Sequence, residues 1–488
     1  MNINTSFSKF KKKHQNKKNQ IIFYKTGYKN TKIIDNIINN FLIKKNSFIF
    51  ESVEKRKMRG RYTIVGADPD KIWEFNKNKI EIIKNNKIKK TLRGSPYLFL
   101  KKLIENFNFP LPKNIPPLCS LLVGYFSYDI IRYIEKIPNK CLDDLKIPDI
   151  RLIRPKTIII HDNFLKKIYF IINTFSDEKI YDYSKYYFKQ IHKIKLLKSM
   201  TFNSEKFKSI KKKENKKIFV KSNISKVKFK KMVLKAKKYI KRGDIFQVVL
   251  SQRFESKLTK TPLEIYKKLR IANPSPFMFF FNFHDFQIIG SSPEILVRLR
   301  KNKITIRPIA GTRPRGSNST KDAFYKKQLL NDKKELSEHL MLLDLGRNDV
   351  GKVSKINTVK VTEKFKIEKY SHVMHIVSNV EGSFDKRHEL FDTMLAGFPA
   401  GTVTGAPKIR AMEIIDELEK NKRKMYAGSI GYFSANKNFD TCIALRTALI
   451  KNNKFYIQSG AGIVADSIPD NEYLETVNKA KALINSLN

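Results

Sequence analysis

The sequence predicts an α+β fold with a substantial share of antiparallel sheet, on three observations. Short apolar runs alternate with turn signals at spacings that suit hairpins. Stretches with apolar residues at helical spacing stand between them. The chain has 488 residues, of which 41% are hydrophobic and 11% aromatic. That is enough to bury a sizeable core in two or three domains, and it excludes wholesale disorder.

Residues 1–20, rich in lysine and low in complexity, read as a disordered tail. From 21 to about 162 the runs FIFES, YTIVGADP, LLVGYFSYDII and KTIIIHD are strand candidates. A helix is expected over 97–106, and 164–173 extends the sheet. The stretch 205–221 contains KKKENKK and few large apolar residues. It marks a boundary between an N-terminal segment, 21–204, and a C-terminal segment, 222–488. Ser222 reads as the N-cap of a helix over 227–242, whose Val227, Phe229, Val233, Ala236 and Ile240 share one face. Gly243 and Asp244 end it, and 245–250 is a strand. Beyond lie expected helices over 321–345, 389–396, 409–419 and 471–487. Expected strands cover 286–290, 304–306, 430–434, 441–449 and 454–459.

The chain carries 98 Lys plus Arg against 45 Asp plus Glu, a net charge of +53. Such a surplus first suggests a nucleic acid partner. Its distribution argues otherwise, because lysine accompanies Asn, Ile, Phe and Tyr in every kind of element and no nucleic-acid motif is present. The informative places are where lysine thins out. Residues 331–349 are net acidic, 456–488 hold four acids against Lys479 and Lys481, and 395–407 contain no lysine. The three cysteines, Cys119, Cys141 and Cys442, form no C-x-x-C pair and suit a reducing compartment. The most apolar stretch, 115–131, is broken by prolines, serines and Asp129, and the run after the basic N-terminus is too short for a signal peptide. A soluble, cytoplasmic protein without a membrane partner is expected.

Several residues could carry chemistry. Glu335 and Glu338 lie three apart on an expected helix, and Glu472 and Glu475 repeat that spacing. They could be solvated surface or carboxylate ligands for Mg²⁺. PIAGTR (308–313) and GAG (460–462) follow expected strands. They are either tight turns or loops whose open N–H groups grip a carboxylate, with Arg313 or Arg446 as bidentate partner. GTVTGAPK (401–408) lacks the Gly-Lys-Ser/Thr ending of a phosphate loop, which excludes an ATPase. His375 is a packed histidine or a site residue, and Glu294 sits at a strand end where general acids occur.

Taken in order, GDIFQVVLSQRF, NPSPFMFF, IGSSPE, RPIAGTRPRG, ELSEHLMLLDLGRNDVG, YSHVMHIVS, FPAGTVTGAPKIRAMEIIDELE, YAGSIGYF, DTCIALRT and QSGAGIVADSIPDNEYLETVNKA resemble the chorismate-utilising enzymes. The likeness is greatest to their anthranilate synthase large-subunit (component I) branch. It implies a four-layer α/β/β/α core with two packed, largely antiparallel sheets. It also implies a lyase that makes anthranilate and pyruvate from chorismate and ammonia, the first committed step of tryptophan biosynthesis. By the same resemblance Glu338, Glu475 and Glu472 bind Mg²⁺ with support from Glu335. Gly311, Thr312, Tyr426, Arg446, Gly460, Ala461, Gly462 and Lys479 contact chorismate.

Glu294 matches the residue that protonates the departing C4 hydroxyl, and His375 the histidine of the second step, in which pyruvate leaves. Relatives that use water carry lysine where this chain has Gln247, and aminodeoxychorismate synthases carry lysine where it has Ala310. Both positions favour anthranilate synthesis, with aminodeoxychorismate synthesis as the nearest alternative and a nucleic-acid role as a distant one. IFES (49–52) and NPSPFM (273–278) resemble the family's tryptophan-binding elements. Ser52, Pro276, Phe277 and Met278 are thus expected contacts of L-tryptophan as feedback inhibitor, in an N-terminal regulatory domain. No cysteine lies in a glutaminase nucleophile setting, so a separate glutamine amidotransferase subunit (component II) is expected as partner, in a heterotetramer of two copies each.

Overall fold

The computed structural model describes every residue except 1, 30–32, 53–59, 204–218, 371–372 and 488. Most of the expected connector, and Ser371 and His372 of the YSHVMHIVS string, therefore lie outside the described residues.

Period-two alternation builds the core. Along Ser47–Glu51 and Phe277–Asn282, Phe48, Phe50, Phe279 and Phe281 point into one apolar cluster. The intervening Ile49, Met278 and Phe280 point into a second. Leu121, Val123 and Tyr125 of strand Leu121–Phe126 join the first cluster, while Leu122 and Phe126 join a third. The first cluster lies between two sheets. The second is closed by helices Ile33–Phe41, Tyr183–Phe202, Pro262–Ala272 and Pro469–Asn485. The third is closed by Pro96–Asn106, Lys333–Gly351 and Leu390–Ala396. The layers are therefore helix, sheet, sheet, helix, and the fold is α+β.

Pairing is antiparallel throughout the named ladders. One ladder passes from Ser47–Glu51 to Phe277–Asn282, Gln287–Ser292, Thr447–Lys451, Lys454–Ile463 and Gln247–Lys257. Another passes from Leu121–Phe126 to Ser429–Ser434, Phe439–Ile443, Ile295–Arg300, Lys303–Ile306 and Val373–Ser383. The long strands Tyr62–Asn76 and Ile150–Asp162 feed both. Among the described residues no helix is long and apolar enough to cross a membrane.

Four expectations are corrected. The first 20 residues are not a free tail: Phe7–Gln15 is a helix capped by Ser6. Phe10 is fully buried there against the rings of Tyr186 and Tyr187, and that apolar burial outweighs the lysine content. The boundary near 205–221 does not separate two cores, because Glu51 pairs with Met278 and Gly124 with Gly431 across it. The helix Lys226–Lys241 is capped by Ser225, whose Oγ accepts from the Lys228 N–H. Ser222 instead lies in a short strand and donates to Gln252. Finally, the helix expected over 321–345 is two, Ser319–Asn331 and Lys333–Gly351, broken where the Asp332 carboxylate caps the second.

Candidate functional site

The site lies where strand ends from both sides of the chain meet the last helix. Strand Gln247–Lys257 opens with Gln247, directly across from Ala406, while Val249 opposes Gly462. Two glycines beside this strand, Gly405 and Gly462, stand hard against Gln247. A Cβ on Gly405 would stand 2.1 Å from the Gln247 carbonyl, and one on Gly462 would stand 2.6 Å from Gln247 Nε2. Gln247 Nε2 donates to Glu338 Oε1 at 2.7 Å.

The strand expected over 441–449 is interrupted. Phe439–Ile443 and Thr447–Lys451 are separate strands, and between them Arg446 takes a left-handed backbone, φ 47°. This costs about 1–3 kcal/mol for a non-glycine residue, and the guanidinium lies within electrostatic reach of Glu294 and Tyr370. Burial works against its charge, Tyr370 and Glu294 support it, and it forms no ion pair with a described residue. Such a cation is suited to a carboxylate ligand.

Glu294 leaves strand Gln287–Ser292 by way of Pro293 and is almost entirely buried. Thr402 Oγ1 donates to its Oε1 at 3.0 Å. Burial pushes the carboxyl up to about 8, outweighing the downward pull of Thr402, the Ile309 N–H, Arg446 and Lys479. It holds a proton at neutral pH, as a general acid must.

His375 faces Gly311 and Thr312 across a ladder whose register slips between Ala310 and Thr312. Its Nδ1 lies 2.9 Å from the Gly311 carbonyl and 3.1 Å from Thr312 Oγ1. Burial lowers its pKa to about 4, so the ring is neutral. A carbonyl can only accept, so Nδ1 carries the hydrogen and Nε2 the lone pair. Gly311 has φ +65°, and an added Cβ would meet Glu335 Oε2 at 3.1 Å.

The remaining expected chorismate contacts gather around Gly460. Lys479 Nζ donates to the Gly460 carbonyl at 3.0 Å and pairs with Glu475 at 2.6 Å. The Tyr426 hydroxyl lies against the Gly460 backbone, leaving no room for a Cβ there, and Ala461 is buried in the next position. Tyr426 is itself braced by Arg423, which donates to the Val249 and Val403 carbonyls at 2.6 and 2.7 Å and pairs with Glu419 at 2.6 Å.

The acids expected to hold a metal are near one another but do not converge. Among the described residues no three His, Cys, Asp or Glu side chains form a ligand set. Glu338 is held by Gln247, Glu475 by Lys479, Glu335 by Arg313 at 3.1 Å, and Glu472 by Ser467. Like charges separate and take the nearest donor or cation. Their chemistry nonetheless fits a hard cation. Burial, with the charges of Glu335 and Glu475, raises the Glu338 carboxyl despite its bond to Gln247, and positive charge would relieve that strain.

Ser52, Pro276, Phe277 and Met278 line one cavity of about 610 Å³ together with Glu51 and Arg298. Its wall also includes Pro293 and Ile295, the neighbours of Glu294. Adjacent side chains of one extended segment thus face two different cavities.

Thr402 was missed by the sequence reading. The signal that marks it is GTVTGAPK, which sits in the lysine-free stretch although it is no phosphate loop. Arg423 carries no such mark, because one arginine among 98 basic residues is invisible without its partners.

The comparisons with known proteins agree among themselves. A family model described as chorismate binding enzyme matches residues 45–485. Anthranilate synthase component 1 of Cereibacter sphaeroides is 44% identical over 98% of this chain and 96% of its own length. That of Acetivibrio thermocellus is 44% identical over 90% of each. The crystal structure of anthranilate synthase component I from Streptococcus pneumoniae superposes with a TM-score of 0.77 at 35% identity, covering 88% of this chain and 93% of that one. The Escherichia coli isochorismate synthase MenF shares the fold, with a TM-score of 0.71 at 18% identity over 96% of this chain and 95% of that one.

Proposed function

The chain belongs to the chorismate-binding enzyme family, and from that premise we propose that it is a lyase converting chorismate and ammonia to anthranilate and pyruvate in tryptophan biosynthesis. The observation that carries this reading is Glu294, a buried carboxyl that keeps its proton to about 8 within the field of Arg446 and Lys479. The ammonia nitrogen bonds to C2 as the C4–oxygen bond breaks and the ring double bond shifts. Glu294 gives its proton to the departing hydroxyl, which leaves as water, and the proton shed by the new ammonium balances it. His375 Nε2 then takes the C2 hydrogen as the C3–oxygen bond breaks; the departing enolpyruvate takes up a proton at its methylene carbon, which balances the one removed, and becomes pyruvate, while the ring becomes aromatic.

Gly311, Thr312, Tyr426, Arg446, Gly460 to Gly462 and Lys479 hold chorismate. Glu338, Glu475 and Glu472, with Glu335, fit Mg²⁺, which supplies positive charge for the substrate's ring carboxylate when bound. Gln247 cannot activate water, since its amide is no base, and Ala310 offers no amine. A separate glutaminase subunit supplies the ammonia. Burial pushes the Cys119 and Cys141 thiols up to about 12 and raises Cys442 too, so none is a ready nucleophile. The 610 Å³ cavity takes L-tryptophan, its aromatic wall formed by Phe50 and Phe277 and its cationic wall by Arg298 and Arg300.

The deciding assay supplies purified chain with chorismate, Mg²⁺ and ammonium and follows anthranilate fluorescence. Accumulation of 4-amino-4-deoxychorismate, or no fluorescent product, would overturn the reading. Tryptophan added to the same assay should inhibit, and calorimetry should show it bound.

A further inference from the structure

Behind His375 lies a buried chain of polar groups that the mechanism above does not use. Glu368 stands directly opposite His375 in the ladder between Lys360–Lys369 and Val373–Ser383. It is 5% exposed, and a carboxylate so placed needs a counter-charge. Arg307, 8% exposed, provides it: one Nη2 donates at 2.9 Å to Glu368 Oε1 and at 2.9 Å to Glu363. The other oxygen of Glu368 accepts from the Tyr370 hydroxyl at 3.0 Å. The Tyr370 ring in turn packs edge-on against the His375 imidazole, 5.5 Å between centroids. The imidazole is thus held on one edge by the Gly311 carbonyl and on its flank by a tyrosine that Glu368 and Arg307 hold in place.

We propose that Arg307 is a positioning residue for His375, acting through Glu368 and Tyr370. It fixes the flank against which the ring stands, and it cancels a carboxylate that would otherwise hold a proton on the base. Among the described residues, the other groups that face the ring are Arg446 from the strand break, Lys479 from the last helix, and Gly311 and Thr312 across the ladder. Burial most of all, then Arg446 and Lys479, oppose a charge on His375, while the Gly311 carbonyl and Glu368 favour one, so neutralising Glu368 removes one of the two groups that favour a proton on the ring.

The proposal rests on the role given above to His375, and its test separates the two. Arg307→Gln, Arg307→Lys and Glu368→Gln are made in the full chain, and chorismate loss and anthranilate formation are followed separately with ammonium. Arg307→Gln should leave chorismate loss within about threefold. It should slow anthranilate release by about 10- to 100-fold, part of the 10²–10⁴ a placed proton acceptor supplies, so that the aminated intermediate accumulates. Arg307→Lys should restore part of this. The acid limb of the second step should move to higher pH in Arg307→Gln and to lower pH in Glu368→Gln, opposite shifts that general loosening would not produce. NMR titration of the His375 ring should show the same opposition without any turnover. An unchanged product ratio in Arg307→Gln, or ring shifts in the same direction in both variants, would overturn the proposal. If Arg307→Gln fails to fold, the isosteric Glu368→Gln decides alone, and an unmoved His375 titration sinks the idea. A wild-type chain that makes no anthranilate would instead sink the functional reading, while the ring titration still decides on Arg307.

Discussion

Glu294 shows what a single residue owes to its surroundings. In sequence it is a glutamate after Ser-Ser-Pro, and nothing local sets its proton affinity. Burial raises its carboxyl from 4.5 to about 8, so the folded chain keeps a proton that the unfolded chain releases. The stability this contributes is fully present below about 4.5 and is lost as pH rises to about 8. Glu294→Gln cannot titrate. Thermal melts at stepped pH should therefore show the variant gaining on wild type between about pH 5 and 8 and holding a constant lead above that. A lead that does not change with pH would contradict a proton on Glu294. Activity at fixed free ammonia should decline as pH climbs through the same upper limit. Thr402, which donates to Glu294, was findable only as part of a lysine-free string, whereas its bond to Glu294 spans 108 residues and belongs to the folded chain.

At the scale of elements, helices and strands were read from periodicity, and the errors fall at breaks. Residues 321–345 keep a helical pattern through Asp332, and 441–449 keep a strand pattern through Arg446. Periodicity cannot register a single residue that leaves the regular backbone. Both breaks lie at the candidate site. Asp332 accepts from the Lys334 and Glu335 N–H groups and pairs with Arg313 at 2.7 Å, which fixes where Glu335 and Glu338 project. Asp332→Ala should lower stability by about 0.5–2 kcal/mol, read from the urea midpoint, and raise the Mg²⁺ concentration needed for half-maximal activity. A variant with an unshifted Mg²⁺ requirement would show that the helix start does not set the carboxylates. The N-terminal helix, anchored by Phe10, departs from the expected free tail for a related reason. Lysine content dominates a composition argument, while one phenylalanine, Phe10, with a pocket to enter decides the packing.

Across the whole molecule, the surplus of +53 produces a field that attracts anions, and chorismate is one. The value of kcat/KM should fall by about tenfold between low and high salt, as steering is screened, while kcat stays nearly constant. A flat kcat/KM series would show that the charge has no part in substrate capture. The fold class and the family were legible along the chain, because both follow from residue type at fixed places in order. How the two segments share their sheets, where Glu294 keeps its proton and which nitrogen of His375 is free emerge with folding. Folding also decides that the four acids take separate partners. Each of these depends on burial and on neighbours distant along the chain, and the order of residues specifies them only once the chain has folded.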